Sequence, residues 1–362
     1  MPIRSTDAST DVAAPDTSNA AATLDPGADQ PVAPGWLPPS TGGHKPRWPK
    51  VVTVIAALLA ATMVAGTLAV TSTLAELGRV EVATLTPWAT GATNWLMVGS
   101  DSRANLSEQD KVRLTAGDAD GDRTDTMFVM SVRGDRVAVL ALPRDLWVTR
   151  CDASSGRINS AFPLGGADCL VDTVEQATGL PIHHLATVDF LGFVDLVDAV
   201  GGVELCLEYA IVDPWSGANL PAGCQVLDGR AALSYVRVRK IDSDLHRIGR
   251  QQQFLAALAA RVKQTASPWN PLGLLATARA GAGALSVDQT TGLGELLGLL
   301  RAARGIADGG LSSHTVPVTD ASIGGAAVLL PIDGEAEALY AMFRDGSIFD
   351  IAPATEGDTP AA

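Results

Sequence analysis

Basic side chains are scarce in this sequence. Its 362 residues include 26 lysines and arginines against 40 aspartates and glutamates, which gives a formal net charge of −14. Proteins that bind nucleic acids through the phosphate backbone need a broad basic surface. We therefore expect no nucleic-acid partner, and any basic site must be local.

Cysteine is also scarce, and the CxxC spacing that zinc sites favour is absent. The four cysteines are Cys151, Cys169, Cys206 and Cys224. An even number of cysteines in an oxidising compartment favours two disulfides, and four cysteines allow three pairings. The sequential pairing, Cys151–Cys169 and Cys206–Cys224, closes two short loops of equal length, and we predict that one.

Large apolar side chains are rare in the first fifty residues, and charge is absent from the next twenty. Residues 1–44 consist mainly of Ala, Pro, Asp, Ser, Thr and Gly, which cannot bury enough apolar surface to offset the entropy of ordering. The uncharged run from Val51 to Val70 has twenty residues, enough to span the roughly 30 Å hydrocarbon core of a bilayer. The apolar part of a cleaved signal peptide is shorter, about 7 to 15 residues. We therefore expect a disordered tail over 1–50 and a single transmembrane helix over 51–70.

The charges that flank this run predict its orientation. Lys45, Arg47 and Lys50 lie just before it, so the positive-inside rule places the tail in the cytoplasm and the rest of the chain outside the cell membrane. We expect a stalk over 71–92, an extracytoplasmic catalytic domain over 93–351 and a flexible tail over 352–362.

The extracytoplasmic part alternates predicted strands and helices. Short apolar runs at 94–100, 125–132 and 136–143 are typical of buried strands, and the RGD between the last two predicts a hairpin. Further strands at 184–190 and 203–208 alternate with helical patterns at 171–179, at 193–200 and from 251 onward. This pattern predicts an α/β fold, an α-β-α layered domain with a mixed central sheet.

Charged residues recur where the first predicted strands begin or end. They are Asp101 and Arg103 in GSDSR, Arg123 and Asp125 in RTDT, Arg144 and Asp145 in PRD, and Arg157 in RINSAF. Ligands of α/β sheets collect at strand ends, so we expect one shared cleft. Two carboxylates suit Mg²⁺, and planar guanidinium groups suit phosphate oxygens. Surface salt bridges, worth under about 1 kcal/mol each, are the alternative interpretation of these pairs.

A second basic cluster lies in the stretch YVRVRKIDSDLHRIGRQQQF, residues 235–254. Its members are Arg237, Arg239, Lys240, Arg247 and Arg250. The helical pattern from Gln251 places this cluster just before a helix N-terminus, where free N–H groups and the helix dipole attract anions. A solvated face beside Asp242 and Asp244 is the alternative.

Several long motifs occur in the order found in one known family. NWLMVGSDSR, RTDTMFVMSV, LALPRDLWV, RINSAF and LDGRAALSYVRVRKIDSDLHRIGRQQQFL closely resemble motifs of the LytR-CpsA-Psr family of cell-wall assembly proteins, over about residues 93–265. The resemblance implies a magnesium-dependent phosphotransferase that joins a glycopolymer from a polyprenyl-pyrophosphate carrier to peptidoglycan through a phosphodiester. A membrane-anchored polyprenyl-pyrophosphate hydrolase and a non-enzymatic wall-binding or regulatory protein are the alternatives.

The resemblance also implies roles for individual residues. Asp101 and Asp125 would hold Mg²⁺, and Arg144, Arg239 and Arg247 would be catalytic. The remaining residues that would bind the pyrophosphate are Arg103, Arg123, Arg157, Arg237, Arg250 and Gln251. Asp101 or Asp145 would remove the proton from the attacking muramyl hydroxyl. Phe190, Phe193, Leu196 and Val197, together with the helix at 251–263, would line an apolar tunnel for the lipid, with ordinary core as the alternative.

Overall fold

The structure is a computed structural model, and it describes residues 57, 60, 61, 63, 64, 68–88, 91–100, 106–115, 124–238, 244–265 and 270–351. Of residues 124, 125, 244–249, 251, 252, 271 and 272 only the backbone is described. The packed domain lies within the unit Leu58–Ala362.

Strands and helices are mixed along the chain, as an α/β fold requires, although some strands and some helices follow one another directly. The strands are β1 (Gly78–Val80), β2 (Thr93–Ser100), β3 (Thr124–Arg133), β4 (Arg136–Leu142), β5 (Trp147–Thr149), β6 (Ser155–Arg157), β7 (His184–Val188), β8 (Val203–Leu207), β9 (Ile211–Asp213), β10 (Ala218–Leu220), β11 (Gly223–Leu227), β12 (Leu285–Asp288), β13 (Leu311–Thr315), β14 (Val318–Ile323) and β15 (Ala326–Pro331). The helices are α1 (Glu108–Arg113), α2 (Ala161–Thr178), α3 (Phe190–Ala199), α4 (Gly229–Arg237), α5 (Asp244–Thr265), α6 (Pro271–Ala284), α7 (Leu293–Ala307) and α8 (Glu335–Asp345).

The central sheet is mixed, which confirms that part of the predicted fold class. Its strand order is β1-β12-β7-β2-β3-β4-β13. The pairs β1/β12, β2/β7 and β4/β13 are parallel, whereas β7/β12, β2/β3 and β3/β4 are antiparallel. The predicted hairpin therefore joins β3 to β4, with its turn at Gly134 and Asp135.

Helices cover both faces of this sheet. Along β2, Leu96 and Val98 pack on one face in a core that includes residues of α2 and α8. Trp95 and Met97 point to the other face, where the core includes residues of α5, α6 and α7. This alternation is the period of two that a strand buried on both faces requires.

Two boundaries differ from the expectation. β1 lies within the predicted stalk and pairs with β12, while Leu77 and Val82 beside it are buried, so the packed domain begins before residue 93. The helix predicted from Gln251 begins at Asp244. Arg247 and Arg250 therefore lie within the first two turns of α5 and not before its N-terminus. The apolar period that predicted this helix is visible in the sequence only from Phe254 onward.

The predicted membrane span lies largely outside the described residues. Among the residues that are described, no helix is both long enough and apolar enough to cross a bilayer. The predicted tails, 1–50 and 352–362, also lie outside them.

Candidate functional site

One edge of the sheet collects the candidate residues. The C-terminal ends of β2, β4, β7 and β13 meet there with the N-terminal start of β3, as the strand directions require. β4 leads to Arg144, and β7 leads to Phe190 at the start of α3. β2 ends at Ser100, one residue before Asp101, and Ser100 pairs with Thr124, one residue before Asp125.

Asp145 joins two of the predicted phosphate-binding arginines at this edge. Its Oδ2 lies 3.2 Å from Nε of Arg144, and its Oδ1 lies 3.3 Å from Nε of Arg157. Nη2 of Arg157 also donates to the backbone carbonyl of Ala327 at 2.6 Å. Each carboxylate oxygen therefore fixes one guanidinium, and all three side chains remain partly exposed. We define these residues, Arg144, Asp145 and Arg157, as the β4 arginine group.

Local hydrogen bonds hold this group in place. The N–H of Leu146 donates to the carbonyl of Pro143 at 3.0 Å, which turns the chain sharply after β4. The N–H of Leu329 in β15 donates to the carbonyl of Asp145 at 3.0 Å. Arg157 returns to the same place because it ends β6, which pairs with β5 in the register Trp147↔Arg157. The group is thus positioned by backbone contacts from two strands.

Arg237, the last residue of α4, forms a second arrangement at the same edge. Its Nη1 donates to the carbonyl of Leu114 at 2.8 Å, and its Nη2 donates to that of Thr115 at 3.2 Å. The guanidinium carbon lies 4.7 Å from the ring centroid of Phe190, a cation–π contact. Arg237 therefore ties the end of α1 to the start of α3.

The helix that carries Arg237 is set by its cap and by close packing. The side chain of Asp228 accepts from the N–H of Ala231 at 2.7 Å and starts α4. A Cβ at Gly229 would overlap the carbonyl oxygen of Val194, so only glycine lets α4 approach α3 this closely. The helix ends at Arg237, because the backbone of the next residue, Val238, leaves the helical region.

Arg250 lies behind this arrangement, on α5. It is only 8% exposed, and its Nη2 donates to the carbonyl of Val238 at 3.0 Å. Nearby, the hydroxyl of Tyr235 donates to Oε1 of Gln253 at 2.8 Å. Burial raises the pKa of Tyr235, and the positive charge of Arg250 opposes that rise. Arg250 thus ties α5 to the residue that follows α4, while its role toward a phosphate stays a prediction.

The two arginine arrangements flank the strand ends that precede the predicted metal ligands. The β4 arginine group follows β4, and Arg237 lies against Phe190 after β7, with β2 and β3 between them. Adjacent strands lie about 4.8 Å apart, so β4 and β7 are separated by roughly 14 Å.

Several predicted residues lie outside the described part of the chain. Asp101, Arg103, Arg123 and Arg239 are outside it entirely, and for Asp125, Arg247 and Gln251 only the backbone is described. Within the described part, no three His, Cys, Asp or Glu side chains come together in a way that could hold a metal ion.

Two of the predicted lipid-lining residues, Phe193 and Val197, pack in one apolar cluster with Phe254 of α5, whereas Leu196 is half-buried. The rings of Phe193 and Phe254 lie 5.2 Å apart, and Val197 is fully buried in the same cluster. Phe190 instead lies under Arg237, a contact that its apolar period in the sequence could not reveal.

Both predicted disulfides are present. Cys151 is bonded to Cys169 and Cys206 to Cys224, each across 18 residues of chain. The first attaches the segment after β5 to α2, and the second bridges β8 and β11.

Comparisons with known proteins agree with this architecture. Residues 62–343 match the model of the LytR_cpsA_psr family. A probable cell wall biosynthesis protein LcpB of Corynebacterium glutamicum is 38% identical over 276 residues, which cover 74% of this chain and 65% of that protein. A polyisoprenyl-teichoic acid–peptidoglycan teichoic acid transferase TagU of Oceanobacillus iheyensis is 36% identical over 176 residues, 46% of this chain and 50% of that protein.

A solved structure shares the fold. The LytR-Csp2A-Psr enzyme from Actinomyces oris superimposes with a TM-score of 0.59 at 23% identity, over 74% of this chain and 95% of that one. Because the family match spans most of the packed domain, the chain belongs to the LytR_cpsA_psr family.

Proposed function

We propose that this protein transfers a glycopolymer from a polyprenyl-pyrophosphate carrier to peptidoglycan and leaves a phosphodiester link. The observation that carries the proposal is the β4 arginine group, in which one carboxylate holds two guanidinium groups. The group lies at the strand ends, where α/β sheets usually bind their ligands. The name of the TagU relative, a transferase between polyisoprenyl-linked teichoic acid and peptidoglycan, supports the same reaction class.

The reaction is a substitution at the phosphorus that carries the sugar. A muramyl hydroxyl oxygen forms a new bond to this phosphorus, the bond to the bridging oxygen breaks, and polyprenyl phosphate leaves. Negative charge builds on the phosphoryl oxygens and on the leaving phosphate, and arginine side chains at fixed positions stabilise it. We assign Arg144, Arg239 and Arg247 to this catalytic role, and Arg103, Arg123, Arg157, Arg237, Arg250 and Gln251 to binding of the pyrophosphate.

Asp145 is better suited to positioning than to proton transfer. One of its oxygens already accepts from Nε of Arg144, and the other forms an ion pair with Nε of Arg157 at 3.3 Å. We therefore assign Asp145 to orienting the two arginines and leave Asp101 as the candidate group that receives the hydroxyl proton.

Mg²⁺ belongs to the same proposal, with Asp101 and Asp125 as its ligands. Two carboxylates are the donor set that a hard cation prefers, and the strand ends that precede them are paired at Ser100 and Thr124. When bound, the ion would supply positive charge next to the phosphate oxygens.

We also propose that residues 51–70 anchor the protein in the cell membrane, with the N-terminus in the cytoplasm and the domain outside. The two disulfides support an oxidising compartment for the domain, because disulfides are rare in the cytosol.

The test is to supply a lipid-linked glycan with and without peptidoglycan and to analyse the products. We expect wall-linked polymer only when the acceptor is present, and we expect Arg144→Ala to abolish it. Arg301→Ala, a substitution on the exposed surface of α7, is the matched control. Phosphate release that ignores the acceptor would favour a hydrolase, and unchanged transfer by the Arg144 variant would remove the β4 arginine group from the reaction.

A further inference from the structure

Two helical segments run side by side toward the sheet. Residues 68–75 are helical and lead into β1, while α6 leads directly into β12. Nη2 of Arg279 in α6 donates to Oγ of Ser72 at 3.4 Å, across an offset of 207 residues. The parallel strands that follow pair Gly78 with Ser286, which agrees with this offset to within one residue. The two segments therefore keep one register from the helices into the strands.

The shared register extends toward the apolar run of the sequence. Leu74 packs on the core cluster that includes Ala282, in agreement with the same offset. Continued through two more turns, the offset aligns residues 271–278 of α6 with residues 64–71. The proposed membrane span is residues 51–70. The first two turns of α6 would then lie beside the outer end of that span and reach about 9 Å into it, since six helical residues rise that far.

The charge of α6 changes at the level where the proposed span ends. Residues 264–278 contain no charged side chain, and Arg279 is the first residue after them that carries one. Arg279 faces Ser72, just beyond the end of the span. Arginine side chains near the end of a membrane-embedded helix reach toward the lipid headgroups. The uncharged part of α6 and the apolar run of the chain therefore end at the same level.

Acidic side chains are missing from a long stretch around α6. From Leu245 to Val287 the chain contains no aspartate or glutamate, although the whole chain has 40. The basic side chains of this stretch are Arg247, Arg250, Arg261, Lys263 and Arg279. Of those whose side chains are described, only Arg250 is buried. A basic stretch without carboxylates is attracted to an anionic lipid surface.

The start of α6 suits an environment of low dielectric constant. The side chain of Asn270 caps the helix by accepting a backbone N–H at 3.0 Å, and Pro271 has no N–H to satisfy. Leu274 and Leu275 are partly exposed, and Ala276 is exposed. Unsatisfied N–H groups are costly in a bilayer, whereas apolar side chains are favourable there. This end of the helix can therefore enter lipid at low cost.

Building on the proposed membrane anchor, we propose that the first two turns of α6, residues 271–278, insert into the outer leaflet beside residues 64–71. The partner of this surface is the lipid bilayer, with Arg279 at the level of the headgroups. Interfacial helices bury their apolar face by about 5–10 Å, which is the depth that the register gives. A second contact of this kind fixes how the domain faces the membrane, because a single helix would leave it free to rotate.

Three alanine-to-cysteine variants of the full chain test this contact. All four native cysteines are in disulfides, so the introduced cysteine is the only thiol that a fluorescent label can modify. Each labelled protein is reconstituted into phosphatidylglycerol vesicles whose lipids carry a nitroxide quencher high on the acyl chain. Ala276→Cys reports on α6, Ala69→Cys on the anchor at the same level, and Ala326→Cys on the exposed surface of β15. We expect the first two to lose most of their fluorescence and the third to keep it.

The outcomes separate this inference from the proposed anchor. Quenching of Ala69→Cys without quenching of Ala276→Cys would overturn the inference and leave the anchor standing. Full fluorescence at both positions would overturn the inference and the anchor together. Equal quenching at all three positions would also overturn the inference, because the contact would then not be specific to α6. Fluorescence is read without turnover, so failure of the proposed reaction would not affect the result.

Discussion

Replacing Asp145 by alanine should separate catalysis from stability. Its two ion pairs, at 3.2 and 3.3 Å, join side chains that are roughly a quarter to two-fifths exposed, so each is worth under about 1 kcal/mol of stability. A loss of about 1 kcal/mol in the free energy of unfolding lowers the melting temperature by about 2–4 °C in a domain of this length. Without Asp145, however, Arg144 and Arg157 each lose one of the contacts that orient them, and misplacement of such groups costs about 100-fold in turnover.

In Asp145→Ala, kcat and the half-saturating donor concentration should change differently. Removing a carboxylate makes the β4 arginine group more positive, so the half-saturating donor concentration should stay constant or fall while kcat falls about 100-fold. Asp145→Asn, whose single carbonyl oxygen can orient only one arginine, should lie between the parent and the alanine variant.

The chain offers a matched control for this experiment. Asp350 also faces two arginines, Arg133 at 3.5 Å and Arg136 at 3.8 Å, but at the opposite edge of the sheet. Asp350→Ala should leave turnover unchanged. The reasoning is refuted if Asp145→Ala turns over like the parent, or if its activity falls only in proportion to the unfolded fraction.

Three further predictions concern stability. Gly305→Ala should lower the melting temperature markedly, because its Cβ would overlap the carbonyl oxygen of Asp135; an unchanged value would refute that packing. Cys206→Ser combined with Cys224→Ser should lower the free energy of unfolding by about 3 kcal/mol in urea titrations, and a loss near zero would contradict the loop-closure reasoning. In the folded state, burial and the neighbouring His184 lower the pKa of His183 below the value of about 6.5 that it has in the unfolded chain. At a pH below about 6.5 the unfolded chain therefore binds one more proton at His183 than the folded chain does. The free energy of unfolding should therefore decrease as the pH falls from 7 to 5, and His183 contributes at most about 1.4 kcal/mol per pH unit to this decrease. His183→Gln should make the free energy of unfolding depend less steeply on pH. An equal slope in the variant and the parent would refute the role of His183.

The sequence was most informative where local pattern and burial agree. β2, β3 and β4 are continuous apolar runs because both of their faces are covered, and the RGD between two of them specified the hairpin. The equal spacing of the cysteines also predicted the correct disulfides, because each pair closes a short loop.

Sequence patterns could not predict which strands pair when those strands are far apart in the chain. β1 is only three residues long and pairs with β12, more than two hundred residues away, so nothing local distinguishes it from a stalk. The first turns of α5 are rich in charge, and charge does not produce the apolar period by which a helix is recognised.

The candidate site shows the same limit. The arginines could be predicted, since their number is unusual in an acidic chain. Their partners could not: the Asp145 bridge depends on the β5/β6 register that returns Arg157, and the Arg237 contact depends on how closely α4 approaches α3 at Gly229.

The most direct measurement is the affinity of the full chain for farnesyl pyrophosphate by isothermal titration calorimetry in the presence of Mg²⁺. Combined Arg144→Ala and Arg157→Ala should weaken binding at least tenfold, because two charge-assisted contacts to phosphate are lost. Combined Arg133→Ala and Arg136→Ala, at the opposite edge of the sheet, should bind like the parent. Equal affinity in all three proteins, or an equal loss in both variants, would contradict the assignment of the pyrophosphate to this edge.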